Sequence, residues 1–137
     1  MYLFTIRVYL FYIHNKGDIM LLIKTVLVPF RLSISARKPI SLRTEITNNS
    51  EEAKKVSVKF MVSKDLSVER TGLANVLEKK IGTIEPGETK LMYYDIYTKT
   101  QTVNRDYPAR LVVFEHYSDY DYIDKEYKKD FQVKVEK

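Results

Sequence analysis

The stretch of sequence that decides the fold is residues 40–62, ISLRTEITNNSEEAKKVSVKFMV. Apolar residues take every second position in both halves of this stretch, and mostly polar residues lie between them; the apolar sets are Ile40, Leu42 and Ile46, then Val56, Val58, Phe60 and Val62. A period of two is the repeat of a β-strand that buries one face. The polar cluster NNSEE at 48–52 separates the halves and is typical of a turn. The stretch therefore predicts a hairpin of two antiparallel strands, with one buried face and one wet face.

The same alternation returns along the rest of the chain, around residues 32–35, 90–98, 107–113 and 131–135. The sequence EPGE at 85–88 fits a type II turn, because proline fixes the first central φ and glycine supplies a positive φ at the second. No helical repeat extends beyond two turns. Short strands at this spacing predict an all-β fold, an antiparallel immunoglobulin-like β-sandwich of about seven to eight strands.

The alternation also predicts which side chains face the interior. The predicted core is Ile40, Leu42, Ile46, Val56, Val58, Phe60, Val62, Met92, Tyr94, Ile96, Leu111, Val113, Phe131 and Val133. The opposite sets should then face outward; they are Leu91, Tyr93 and Tyr97 on one strand and Val112 and Phe114 on another. Outward apolar sets need cover, and so does the apolar segment 21–30. We expect this segment to form an additional strand or arm on the sandwich or on a partner subunit, and a homodimer is the simplest assembly that covers these surfaces.

A chain of 137 residues predicts one domain, which we place at residues 20–137. Gly17 and Asp18 can be encoded by a ribosome-binding sequence and lie just before Met20. Residues 1–19 are therefore interpreted as a leader translated from upstream of the true start, or else as an N-terminal extension. Their apolar run is too short for a membrane helix and lacks the pattern of a signal peptide. We expect no transmembrane segment and a cytoplasmic location.

Composition excludes several kinds of site. The chain has no Cys and two His, which excludes disulfides, thiolate nucleophiles and Cys- or His-rich metal sites. A net charge of +5, spread along the chain, does not indicate a nucleic-acid partner. There is no glycine-rich phosphate loop and no nucleophile elbow. The sequence therefore predicts no cofactor, no metal and no catalytic residue. Its charge-rich, Gln-poor usage is typical of a thermophile.

Three motifs together resemble a known group of domains. They are ITNNS at 46–50, IGTIEPGE at 81–88 and YPARLVV at 107–113. In this order they resemble the immunoglobulin-like sandwich modules of archaeal and bacterial proteins, of the cell-adhesion-related (CARDB-like) type, over residues 31–136. The resemblance implies a sandwich that serves as an appendage without catalysis. Tyr107 is either a tyrosine corner, whose hydroxyl bonds back to the upstream backbone, or a plain core residue.

The most unusual segment is EHYSDYDYID at 115–124, between the last two predicted strands. Its candidate binding residues are Glu115, His116, Tyr117, Asp119, Tyr120, Asp121, Tyr122 and Asp124. Loops at the end of a sandwich often carry binding residues, and Tyr with Ser and Asp is typical of recognition surfaces. The alternative is a long twisted hairpin whose Tyr residues pack on neighbouring strands. Calcium binding by Asp119, Asp121 and Asp124 is a weaker interpretation, because the glycine turn and terminal Glu of a calcium loop are missing.

Three functions remain open from the sequence. The leading hypothesis is a non-catalytic interaction module that binds another protein or itself. The second is a carbohydrate-binding module that uses Tyr117, Tyr120 and Tyr122 as stacking platforms. The third is a small enzyme of unknown class. Exposed coplanar Tyr rings would favour sugar, a bare apolar sheet surface would favour protein, and a closed polar pocket would favour catalysis.

Overall fold

The computed structural model describes residues 7–11, 21–29 and 31–137, and for residues 7–11 it describes the strand alone. These residues form ten β-strands and no helix, so the predicted all-β class is confirmed. The strands are β1 (Arg7–Phe11), β2 (Leu21–Val28), β3 (Arg31–Ser33), β4 (Ile40–Asn48), β5 (Lys54–Val62), β6 (Leu66–Ser67), β7 (Val76–Ile84), β8 (Thr89–Thr98), β9 (Asp106–His116) and β10 (Ile123–Glu136). None of the described segments is a helix that could cross a membrane.

The strands form two sheets around one core. The first sheet has the order β1-β2-β4-β8-β6, and the second has the order β3-β10-β9-β5-β7. All pairs of neighbours are antiparallel except β3 and β10, which are parallel. The predicted hairpin over residues 40–62 is wrong, because β4 and β5 lie in different sheets. Each of the two strands buries one face, as predicted. The buried faces of β4 and β5 meet across the core, and the NNSEE turn connects the two sheets.

The predicted core is confirmed. All of its residues are buried except Met92, which is partly buried and packs against the others. Phe60 of β5 has no exposed surface, and its ring stacks on Tyr94 of the first sheet at 5.8 Å and on Phe131 of its own sheet at 6.2 Å. Aromatic rings at these separations attract each other beyond the gain from burial alone. Phe60 therefore joins the two sheets at the centre of the sandwich.

The apolar segment that precedes the predicted strands finds its cover within the chain. Residues 21–28 are strand β2, which pairs with β4 and buries Leu21, Ile23, Thr25 and Leu27. The predicted additional strand is confirmed, and the chain then passes through Pro29 to β3 in the second sheet. The leader interpretation of residues 1–19 stays a prediction; within that stretch only residues 7–11 belong to the described part, as β1.

A fully buried asparagine organises the NNSEE turn. The side-chain amide of Asn48 donates to the carbonyls of Glu52 and Ile84 at 2.7 and 2.8 Å. Its side-chain oxygen accepts from the backbone N–H of Ser50 at 2.9 Å and from the Ser50 hydroxyl at 2.6 Å. The turn residue Gly87, whose φ is +80°, donates its N–H to the Asn48 carbonyl at 2.7 Å. One side chain thus ties together β4, the turn and the end of β7.

The loops meet at the two ends of the sandwich. At one end, which we call the hairpin end, Lys55 donates its ammonium to the carbonyl of Ser118 in the β9–β10 loop. At the opposite end the Lys99 ammonium donates to the Lys64 carbonyl, and the Thr102 hydroxyl donates to the carbonyl of Asp65. Long antiparallel strands separate the two ends, so a ligand site at one end is remote from a site at the other.

Candidate functional site

The segment 115–124 lies at the hairpin end, but much of it is strand. β9 continues to His116 and β10 begins at Ile123, and these two residues are paired. The N–H of Tyr117 then donates to the carbonyl of Tyr122 at 3.0 Å and closes the loop. Of the candidate residues, Glu115, His116 and Asp124 are therefore strand residues, and the loop proper is 117–122.

His116 and Tyr120 line a groove on the outer face of the second sheet. His116 Nε2 and Ser57 Oγ lie 2.6 Å apart and share a hydrogen bond, while the Tyr120 ring meets the imidazole edge to face at 5.0 Å. The groove has a volume of about 630 Å³; we call it the His116 groove, and it is lined by Ser57, Val58, Lys59, Glu78, Lys79, Lys80, Phe114, His116, Tyr120 and Ile123. Ser57 was missed from the sequence, because it belongs to β5 and only the strand order brings it beside β9.

The three tyrosines of the loop do not form one platform. The Tyr120 ring is flanked by the ammonium groups of Lys55 at 5.3 Å and Lys80 at 5.0 Å, and these contacts hold it by cation–π attraction. Tyr117 and Tyr122 are 72% and 62% exposed. The packed-tyrosine alternative therefore applies to Tyr120, whereas Tyr117 and Tyr122 present free surface at the tip of the hairpin.

The acidic residues of the loop serve turn geometry. The carboxylate of Asp119 accepts from the N–H of Asp121 at 2.9 Å, a local contact typical of turns. Asp121 and Asp124 are exposed. Within residues 21–29 and 31–137, no group of three or more His, Asp or Glu side chains is placed to hold a metal ion. The calcium interpretation finds no ligand set there.

Glu115 points to the other face of β9, into the sandwich. It is 1% exposed, neither carboxylate oxygen has a hydrogen-bond partner, and the Lys54 ammonium lies 4.0 Å from Oε1. Burial raises the pKa of Glu115, and the charges of Lys54 and Lys125 oppose that rise. Burial, together with the nearby Glu115, also raises the pKa of Tyr127 to about 12. Glu115 is therefore separated from the exposed candidate residues by the sheet itself.

We expect Glu115→Gln to stabilise the protein near neutral pH, because the amide removes a buried charge. Because its pKa is raised, the folded state binds this proton more tightly than the unfolded chain does. The stability of the native protein should then fall as pH rises from the unfolded pKa through the folded pKa, and the variant should lack this fall. Urea unfolding at about pH 4 and about pH 7 checks it, with the exposed Glu126→Gln as control. A less stable Glu115→Gln at neutral pH would show instead that the contact with Lys54 dominates.

The Ser57–His116 pair is not a complete nucleophile system. A serine activated by histidine also needs a third group that orients the imidazole. In the part of the chain that the structure describes, Nδ1 of His116 is buried and has no hydrogen-bond partner. The neighbouring carboxylate of Glu115 faces the interior and cannot take that role. The pair can position a ligand hydroxyl or anion in the His116 groove, but its geometry does not favour acyl transfer.

A second exposed feature is one side of strand β8. Residues 89–96 of β8 pair with β4 on one side, whereas on the other side only Tyr97 and Thr98 pair, with β6. Over residues 89–96 that second side meets no strand among the described residues, and we call it the β8 edge. Of the predicted outward set, Leu91 and Tyr93 are 48% and 59% exposed, whereas Tyr97 is partly buried.

The other outward set is covered within the chain. Val112 of β9 is 3% exposed and Phe114 is partly buried. β9 lies between β5 and β10 in the middle of the second sheet, where long side chains such as Lys59 and Lys128 stand directly opposite Val112. The aliphatic stems of lysines cover apolar surface while their ammonium groups stay in water. Only the set on β8 therefore needs a partner.

The edges at β7 and at β8 differ in chemistry. The outer strand β7 carries Glu78, Lys79 and Lys80, and its register against β5 shifts between Val56 and Ser57. Charges and bulges are the usual devices that prevent another strand from adding to an edge. The central part of β8, LMYYDI at 91–96, carries only one charged residue, Asp95, whose carboxylate binds the hydroxyls of Ser41 and Tyr97. The β8 edge is thus less protected than the β7 edge.

Comparison with known proteins assigns no family. No family model and no curated protein matches the chain. Among solved structures, it is similar to a FixG-related protein from Vibrio parahaemolyticus, with a TM-score of 0.48 and 8% identity over 96% of each chain. It is also similar to part of the alkylpurine DNA glycosylase AlkC from Pseudomonas fluorescens, with a TM-score of 0.43 and 13% identity over 97% of this chain and 31% of that one. It is also similar to part of a β-glucuronidase of glycoside hydrolase family 2, with a TM-score of 0.39 and 16% identity over 91% of this chain and 11% of that one.

Proposed function

We propose that this chain is a non-catalytic interaction module with an immunoglobulin-like fold, and that it self-associates through the β8 edge. The observation that carries the proposal is an unpaired, apolar strand edge with Leu91 and Tyr93 exposed beside it. A row of unpaired backbone groups is a template for another strand, and apolar side chains next to it add the affinity.

Strand order supports the immunoglobulin-like part of the proposal. In that fold the strands A, B and E form one sheet and C, F and G form the other. Here β2, β4 and β8 occupy the positions of A, B and E, while β5, β9 and β10 occupy those of C, F and G. The 107–113 motif supports it as well, since Tyr107 is buried near the start of β9 and its hydroxyl accepts from the N–H of Val103 at 3.0 Å. This is the contact of a tyrosine corner. The CARDB-like type is the variety of this fold that we propose, from the three motifs.

A second copy of the chain is the occupant that best fits the β8 edge. Residues directly opposite on antiparallel strands share a face of the sheet. A two-fold axis at Met92 would place Leu91 of each copy opposite Tyr93 of the other, and Thr89 opposite Asp95. Leu91 and Tyr93 of both copies are then covered by one symmetric contact, and Met92 lies opposite Met92 of the other copy. Closed two-fold pairs of this kind are the commonest assemblies.

Charge does not oppose this pairing. Lys90, at the start of the strand, already forms an ion pair with Glu88 of its own chain at 3.1 Å. Between Lys90 and Asp95 the strand carries no ionisable charge at neutral pH. The edge is long enough for the purpose, because strands of about five to six residues are the norm in sheets. The resulting continuous sheet would run from one copy into the other.

We expect sedimentation at micromolar concentrations to give about twice the 16.2 kDa mass of one chain. Replacement of both Leu91 and Tyr93 by lysine should weaken association at least tenfold, because like charges would then lie opposite each other across the two-fold axis. The matched control is Val76→Lys, which changes an exposed apolar residue at the protected β7 edge. It should sediment as the unchanged chain does.

A monomeric native chain under these conditions would contradict self-association. Equal loss of association in Val76→Lys would contradict the β8 edge as its location. A monomeric native chain that binds an extended peptide of another protein along β8 would also contradict the two-fold proposal. Protection of the β8 amides from hydrogen exchange would detect that peptide, and the partner would then be a different protein.

Carbohydrate binding is the less well supported alternative. Tyr117 and Tyr122 are exposed at the hairpin tip and could stack on a sugar ring. The third ring that the sequence offered, Tyr120, has lysine ammonium groups near its face at 5.0 and 5.3 Å. Two rings at the tip of one hairpin give less contact area than the β8 edge offers to another strand.

A further inference from the structure

A cleft lies at the end of the sandwich opposite the β9–β10 loop. It has a volume of about 1080 Å³ and is open to solvent. Three separate connections supply its walls: β3–β4, β6–β7 and β8–β9. The lining residues are Ile34, Arg37, Lys38, Pro39, Arg70, Thr71, Gly72, Tyr97, Thr98, Lys99, Thr100 and Gln101. We call it the basic cleft.

Its charge is of one sign. Arg37, Lys38, Arg70 and Lys99 line the basic cleft, and no carboxylate does. Among the described residues the first three have no ion pair, and the Lys99 ammonium donates to the Lys64 carbonyl at 2.8 Å. Elsewhere on the surface some basic residues form ion pairs with acids, as in the pairs Arg110–Asp130 and Arg43–Glu45.

Two carboxylates accept hydrogen bonds from hydroxyls of residues in or beside the lining. Glu69 accepts from the hydroxyl of Thr71 at 3.1 Å, and Asp95 accepts from Ser41 and from the hydroxyl of Tyr97. Neither carboxylate is part of the lining. The lining itself carries four cations, and a cleft lined by one sign of charge attracts anions from outside the chain.

The backbone at Arg37 adds an independent reason. Its φ is +54°, in the left-handed region where a glycine or an asparagine would be more stable than an arginine. A side chain that is disfavoured by the local backbone and still present at the mouth of a cleft indicates that the side chain itself has a use. For an arginine, that use is a planar guanidinium with paired N–H donors.

We propose that the basic cleft binds a small organic anion that carries at least two phosphate groups. Each of the two guanidinium groups can bind a phosphate through two parallel hydrogen bonds, and the two lysines add point charges. A phosphate group carries about −1.5 to −2 charge at neutral pH, so two of them balance four cations, whereas a dicarboxylate would balance only half. Small-molecule clefts measure about 300–1,000 Å³, and the basic cleft, at about 1080 Å³, is slightly larger than that range and can hold such a ligand.

Neutral groups in the cleft suit the same ligand. Thr98, Thr100 and Gln101 offer hydroxyl and amide donors along one wall, and the Tyr97 ring lines it beside them. Hydroxyl donors commonly complete phosphate sites that arginines begin. Gly72 lines the cleft at a φ of +78°, a backbone conformation that favours glycine. This inference does not rest on the proposed self-association, which uses another surface.

The test is calorimetric titration of the full chain with pyrophosphate, with sulfate as the comparison anion, at low and at physiological salt. We expect pyrophosphate to bind at least tenfold more tightly than sulfate. Arg37→Gly and Arg70→Gln should each weaken binding at least tenfold, because each removes one guanidinium fork. The control is Lys128→Gln on exposed β10, which changes the net charge equally and should alter binding less than twofold.

Arg37→Gly keeps the proposal falsifiable, because glycine suits the left-handed φ and the variant should melt no lower than the native chain. Loss of binding in a protein of unchanged melting temperature would support the site. No heat of binding at millimolar pyrophosphate would overturn it. Equal weakening by Lys128→Gln would overturn it too, because the effect would then be one of net charge. Binding of DNA with a steep salt dependence, in the absence of pyrophosphate binding, would overturn the proposal and indicate a polyanion as the ligand.

Discussion

Phe60→Ala is expected to lower the free energy of unfolding by ~3–5 kcal/mol. The ring has no exposed surface and lies between Tyr94 of the first sheet and Phe131 of the second. Its removal loses the transfer energy of the ring and leaves a cavity at the point where the two sheets meet. Well-packed strands cannot move together to fill such a cavity, so the loss should be near the upper end for a core substitution.

Urea unfolding followed by far-ultraviolet circular dichroism measures this change. The control is Met61→Ala, the next residue along β5, which is partly exposed on the opposite face. It should cost about 1 kcal/mol. If Phe60→Ala cost as little as Met61→Ala, the assignment of the buried face of β5 would be wrong.

Asn48→Asp is expected to be nearly as damaging, at about 3 kcal/mol or more near neutral pH. The amide of Asn48 donates to the carbonyls of Ile84 and Glu52 inside the protein, and a carboxylate has no N–H to offer. The substitution leaves two carbonyls without their donor and puts a negative charge against them. Asn49→Asp makes the same chemical change at an exposed neighbour and should cost less than about 0.5 kcal/mol.

The effect of Asn48→Asp should depend on pH in a defined direction. Burial and the facing carbonyls disfavour the anion, so we expect the pKa of the introduced carboxyl to be higher in the folded protein than in the unfolded chain. The variant should therefore be most stable in acid and lose stability as pH rises through that interval. Urea midpoints at several pH values, compared with those of Asn49→Asp, measure it. A penalty that does not change with pH would show that the side chain moves out to solvent.

Much of the interior was predictable because strand alternation is local. The side chain at every second position of 40–46 and 56–62 faces the core, as the period of two requires. Alternation does not say which strands pair, however, and for this reason the sequence predicts one hairpin for β4 and β5 where the structure has none. The NNSEE turn could join two strands of one sheet or connect the two sheets. The second arrangement forms because β2 and β8 pair with β4 on its two sides and leave no side for β5.

The candidate site was predictable only where it is continuous in sequence. The segment 115–124 was singled out by its composition, and His116 and Tyr120 do lie in one groove. Ser57, 59 residues away, could not be found without the pairing of β5 with β9. The basic cleft was missed for the same reason, since three distant connections build it. The basic pair at 37–38, just before a predicted strand, was the one local signal.

The parallel pairing of β3 with β10 has a kinetic consequence. It joins segments that are far apart in the sequence, and Arg31 and Glu136 form an ion pair across 105 residues of chain. Closing so long a loop costs more entropy than any local turn, and contacts of this kind are rewarded only after the strands between them are in place. Folding should therefore proceed from the β9–β10 hairpin outward, and the pairing of β3 with β10 should form last. In a newly made chain, β3 would stay unpaired with β10 until β10 is complete.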